Sequence, residues 1–197
     1  MEPWTEILHR MHKMGTRAGE CLELLQRSFI NTSRETLDDC MALLAEVRES
    51  EPEISKEVKK LARKNKGKKA YEEIPGHFLG ICDHLETLAD MLRKKIEDNI
   101  MFSDRAITEV SFLSQNLLEI VKAASDLILV KNPVLLRYIQ ESESMLVKAT
   151  IEYATLHEER LIEGLCLPIA SPVFLKILEA VKGIAHESKV IAESISA

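Results

Sequence analysis

Apolar residues recur at three- and four-residue spacing along almost the whole chain, and polar residues fill the positions between them. From Pro3 to Ile30 the apolar set is Ile7, Leu8, Met11, Met14, Ala18, Cys21, Leu22 and Leu25, one face of a 3.6-residue helix. Asn31–Thr32–Ser33 interrupts the pattern. Thr32 and Glu35 have the spacing of a capping box, in which the hydroxyl accepts from the first turn and the carboxylate reaches back. A second helix follows to about Lys66, with Pro52 inside it as a kink or break. Lys66–Gly67–Lys68 and Pro75–Gly76 bracket a loop.

A third helix then carries Phe78, Ile81, Cys82, Leu85, Leu88, Ala89, Leu92 and Ile96. Ser103 caps a fourth, whose stripe is Ile107, Val110, Leu117, Ile120, Val121, Ala124 and Leu127. Asn132–Pro133 is a cap followed by proline at the first helical position. The fifth helix runs from there to about Glu163 and stops at Gly164. Ser171–Pro172 repeats the signal for a sixth, with Phe174, Ile177, Leu178, Val181, Ile184 and Ala185 inward. No stretch alternates with period two for long enough to argue a strand. The starts at Thr32 and Asn132 lie about 100 residues apart, and so do those near Tyr71–Pro75 and at Ser171, which reads as an internal repeat. The predicted fold is all-α, two tandem three-helix bundles over residues 1–102 and 103–197.

Composition agrees. In 197 residues there are only 7 Gly and 6 Pro, with 5% aromatics, so turns and strand formers are scarce. The net charge of −6 gives no case for general nucleic-acid binding. No apolar run is long enough to cross a bilayer, and the opening MEPWTEILHRMHKMG lacks a signal core. The expected location is cytoplasmic. Cys21, Cys40, Cys82 and Cys166 contain no CxxC and suit neither a zinc site nor a disulfide framework; Cys21 and Cys82 read as small core residues. There is no GxSxG, phosphate loop or GxGxxG to propose an enzyme on. Glu6…His9 has the ExxH spacing of di-iron bundles but lacks the companion glutamates.

One charge feature stands out in this acidic chain. Lys59, Lys60, Arg63, Lys64, Lys66, Lys68 and Lys69 fall within eleven residues with no carboxylate among them. They suit anionic lipid headgroups at the inner face of the membrane or an acidic partner face, while the bland alternative is a solvated helix end. No stacking aromatics interleave with them for nucleic acid.

The segment His157-Glu158-Glu159-Arg160-Leu161-Ile162-Glu163-Gly164-Leu165-Cys166-Leu167-Pro168, followed by Phe174-Leu175-Lys176-Ile177-Leu178 and ending Ile191-Ala192-Glu193-Ser194, resembles the closing segment of phosphate-uptake regulator (PhoU) domains. The likeness is greatest to those attached to sodium/phosphate cotransporters. Gly80-Ile81-Cys82-Asp83-His84-Leu85-Glu86-Thr87-Leu88-Ala89-Asp90 is similar to the helix ending of the first repeat. The resemblance implies a non-enzymatic regulator acting by protein–protein binding on a phosphate transporter or sensor kinase, and self-association as a homodimer. It also implies ExxxD carboxylate pairs on the second and third helix of each repeat, which hold iron, manganese or another divalent metal.

This sequence departs from that pattern in the copies Leu79…Asp83, Lys182…His186 and Glu143…Val147. The remaining copy is Glu51…Ser55, or Glu53…Glu57 in the alternative register. The carboxylates that remain form two stripes, Asp83, Glu86 and Asp90 on the third helix, and Glu179, His186 and Glu193 on the sixth. Each is a candidate metal or protein contact beside the reading as a solvated helix face. Three functions stay open: a PhoU-like regulator, a metal-binding helical protein, and a helical adaptor unrelated to phosphate.

Overall fold

A computed structural model describes residues 2–196, with the Lys66 side chain outside the described set. Six long helices follow one another: α1 (Pro3–Asn31), α2 (Glu35–Ala62), α3 (Ile74–Glu97), α4 (Asp104–Leu129), α5 (Pro133–Ile162) and α6 (Ser171–Ser196). Short 3₁₀ turns over Lys66–Tyr71 and Pro168–Ala170 precede α3 and α6. There is no strand among the described residues. The architecture is all-α, two tandem three-helix bundles. Helix α2 packs on α1 and α3, and α5 packs on α4 and α6. The two bundles meet where α3 lies on α6 and α1 on α4. One apolar cluster runs through all six helices. Phe78 and Phe174, each 0% exposed, stand at its centre; burying such a side chain contributes about 1.5–3 kcal/mol.

The helix boundaries follow from local chemistry. The Ser103 hydroxyl accepts from the Ala106 amide at 3.3 Å, and Asn132 Oδ1 accepts from the Val134 amide at 2.9 Å. Each satisfies a donor that the first turn leaves without a partner. Gly164 adopts φ +70° just past α5, the left-handed conformation that ends a helix at least cost to glycine.

Four expectations are corrected. Thr32 does not cap α2; it sits at φ 57° and closes α1, its amide donating to Ser28 O at 2.9 Å. Ser33, whose Oγ lies 3.5 Å from the Thr36 amide, stands in the capping place instead. Pro52 does not break α2, because Val47, Ile54 and Val58 on either side are buried and hold the helix together. Ile107, assigned to the α4 stripe, is 41% exposed. Finally, Cys21 and Cys40 are bonded as a disulfide across the α1–α2 seam, with Cα atoms 4.6 Å apart. Spacing along the chain could not show this, since the pairing depends on the register between two antiparallel helices. Cys82 stays free and buried, and burial pushes its thiol up to about 12, as befits an inert core residue.

Candidate functional site

The acidic stripe of α3 faces α2, and α2 supplies its own cation. An Nη2 of Arg48 donates to Asp83 at 2.8 Å and to Glu86 at 2.7 Å. Asp83 and Glu86 are one turn apart, so a single guanidinium spans them. Hydrogen bonding to Asp83 is the main reason the Arg48 pKa is raised. Asp90, a turn further on, takes Arg93 at 2.9 Å, and Arg93 also reaches Asp38 at 3.9 Å. On α2, Glu51 accepts from the Ser55 hydroxyl. Glu53 and Glu57 turn away to Arg10 of α1, at 2.7 and 2.9 Å.

In the second bundle the signs are exchanged. The cation is Lys189 on α6 and the acid is Glu143 on α5, 3.2 Å apart. Glu193 accepts from Gln140 at 3.1 Å and Glu179 from Lys176 at 2.7 Å. His186 is exposed. Among the described residues no three or more His, Cys, Asp or Glu side chains are grouped so as to hold a metal ion. Of the carboxylates that the resemblance offers to iron or manganese, Asp83 and Glu86 have the Arg48 guanidinium between them and Glu143 has the Lys189 ammonium beside it.

Between the stripes lies a polar contact that sequence reasoning missed. A methyl group added at Gly183 of α6 would meet the ring of His84 on α3, and one added at Gly80 of α3 would lie 2.9 Å from the Glu187 carboxyl carbon on α6. Each glycine is a notch for a side chain from the opposite bundle. Glu187 is then held by His77 Nδ1 at 2.7 Å. The available signal was that each glycine precedes by one helical turn the residue that fills the other's notch.

The His157–Pro168 segment builds one end of the molecule. Arg160 grips Glu109 of α4 with two nitrogens. His157 lies on the ring of Phe174 at 4.5 Å and within 3.9 Å of Cys166 Sγ. Burial, then the nearby Arg160, pushes the His157 imidazole below its usual range. Phe29, Phe102 and Phe174 continue this contact from one turn to the next, with ring centroids 5.9 and 6.0 Å apart. Outside them the same end exposes Ile30, Met101, Ile162, Leu165, Leu167 and Ile169, a group of aliphatic knobs of the kind that marks an interaction surface.

The opposite end is basic. Lys59 and Lys60 close the last turn of α2, Arg63 and Lys64 follow it, and Lys68 and Lys69 lie in the 3₁₀ turn. Among the described residues none of these six forms an ion pair. The ammonium of Lys68 sits 4.5 Å over Trp4, Trp4 meets Tyr71 edge-on at 5.1 Å, and Lys131 from the α4–α5 turn lies 5.4 Å over Tyr71. Among the described residues no helix is long and apolar enough to cross a membrane.

No protein-family model and no curated protein matches this sequence. Several solved structures match its fold, among them two PhoU-type proteins. The crystal structure of PhoU from Pseudomonas aeruginosa superposes with a TM-score of 0.86 at 13% identity, covering 98% of this chain and 95% of that one. A PhoU-like protein from Shewanella oneidensis gives 0.52, also at 13% identity, covering 96% and 97%. The fold is thus PhoU-like over nearly its whole length.

Proposed function

We propose that this chain is a regulator of phosphate transport or signalling that works by binding other proteins, with residues 1–102 and 103–197 as two repeats of one unit. The observation that carries this reading is the fold match to PhoU along almost all of both chains. The His157–Pro168 segment supports it, and its likeness is to the domains attached to sodium/phosphate cotransporters. The exposed aliphatic knobs at the α5–α6 end supply a surface for a partner such as a transporter or sensor kinase in the cytoplasm. Binding there would shift the partner's conformational equilibrium, which needs no bond-making chemistry.

The test is deletion of the gene, scored by phosphate uptake and by expression of phosphate-responsive genes at high and low external phosphate. Constitutive uptake or signalling, restored by the wild-type chain but not by a Leu165→Asp/Leu167→Asp variant, is expected. A deletion strain with normal uptake and normal signalling would remove the phosphate link and leave a helical adaptor.

A further inference from the structure

We infer that the basic end of the bundle is a docking surface for an anionic lipid bilayer, with the Lys59–Lys69 segment binding headgroups and the α4–α5 turn entering the acyl boundary. The inference is independent of the regulator reading.

The first observation is unspent charge. Lys59, Lys60, Arg63, Lys64 and Lys69 are exposed. The only carboxylates between Lys59 and His77 are Glu72 and Glu73. Glu53 and Glu57, the acids that precede the segment, are already taken by Arg10. These five cations outnumber the exposed acids of the same end, Glu2, Glu6 and Glu73, so the surface there is net positive.

The second is the choice of cation. Where one cation of this chain spans two carboxylate oxygens across helices it is arginine, as in Arg10, Arg48 and Arg160, whereas Lys122 and Lys189 each make a single such contact; the planar fork fixes the geometry of a carboxylate. Residues 59–69 hold a single arginine among lysines. Lysine is a hydrated point charge on a flexible stem, suited to a diffuse layer of phosphates rather than to one partner carboxylate.

The third is what stands beside the charge. Lys131 reaches Tyr71, so the α4–α5 turn lies against the basic segment. That turn exposes Val130 (53%) and Val134 (71%) on either side of Lys131, Asn132 and Pro133. Exposed aliphatic residues beside lysines match the two layers of a bilayer surface. An acidic protein face would meet the lysines and leave the valines in water. Nucleic acid would want a stacking platform, but Trp4 is covered by Lys68 and Tyr71 is 3% exposed.

The test is sedimentation of the full chain with phosphatidylserine-containing vesicles and with pure phosphatidylcholine vesicles. Binding to the first only is expected, lost as ionic strength rises from about 0.01 M to about 1 M and the Debye length falls from ~30 to ~3 Å. Lys64→Glu/Lys68→Glu/Lys69→Glu should weaken it by about a hundredfold or more, at roughly fivefold per lysine. Lys59→Gln/Lys60→Gln, which leaves Trp4 untouched, should weaken it by about 25-fold on the same scale. Val130→Ser/Val134→Ser should cost about tenfold on vesicles and nothing on polyglutamate. Failure of the wild-type chain to bind serine-headgroup vesicles at low salt overturns the inference, as does equal binding by the charge variants. Polyglutamate or duplex DNA bound as tightly as vesicles, with the valine variant silent on vesicles, would reassign the surface to a protein or nucleic acid and overturn it too.

Discussion

Arg160 of α5 holds Glu109 of α4 through two parallel hydrogen bonds of 2.8 and 2.7 Å, and the two side chains are only 12% and 8% exposed. Removing one partner leaves an uncompensated charge in the interior. Arg160→Met is expected to lower stability by about 3–5 kcal/mol, read as the urea midpoint. Replacing both, as Arg160→Met/Glu109→Leu, should recover most of that loss, because neither charge then remains buried alone. A single variant as stable as the parent would mean that water reaches the pair.

His157 supplies a pH dependence. Its folded pKa is lowered, first by burial and then by Arg160. The unfolded chain takes up the proton near its ordinary value of about 6.5, so below that pH the unfolded state binds more protons than the folded one. Stability is therefore full above about pH 6.5 and falls as pH drops towards the lowered folded value. Comparing urea midpoints at about pH 7.5 and about pH 5, either side of the ordinary histidine value, should show that drop in the parent and a smaller one in His157→Gln. An equal drop in both would assign the effect to other groups.

The glycine notches predict opposite signs for one substitution. At Gly183 an added methyl meets the His84 ring, an overpacking cost of about 1–3 kcal/mol set against the roughly 0.5–1 kcal/mol that alanine gains in a helix. At Gly76, in the first turn of α3, nothing lies within 4 Å, so only the gain remains. Thermal unfolding should place Gly183→Ala below the parent and Gly76→Ala above it.

Arg48 predicts indifference to chelators. It occupies the space between Asp83 and Glu86, and the pairs are open to water, with side chains 38%, 66% and 44% exposed. Arg48→Gln should therefore cost under about 1 kcal/mol, and a chelator should leave the unfolding midpoint of the wild-type protein unchanged. A chelator-induced fall, accompanied by stoichiometric iron or manganese in elemental analysis, would show that the acidic stripe holds metal after all.

The helices were legible in the sequence because their signals are local. Apolar spacing, the caps at Ser103 and Asn132, and the stop at Gly164 act within a turn or two of themselves. What escaped is set by how one helix lies on another. The partner of Cys21, the reach of Arg48 to Asp83, and the fit of His84 to Gly183 all depend on cross-helix register, which a 3.6-residue pattern does not encode. Ile107 failed for a different reason: the buried face of α4 starts at Ala106 and runs through Val110, Leu113 and Leu117, and Ile107 lies at its edge. Asp83 and Glu86 were found as residues, but Arg48, the cation that neutralises them, lies on another helix.

The reciprocal seating of His84 over Gly183 and Glu187 over Gly80 works like a pair of meshed teeth. Sliding α3 along α6 by a single turn would lift both side chains out of their notches at once and part Glu187 from His77. Translation along that seam is therefore blocked in both directions, and any movement a bound partner drives must hinge α2 or α5 on the outside of a fixed spine.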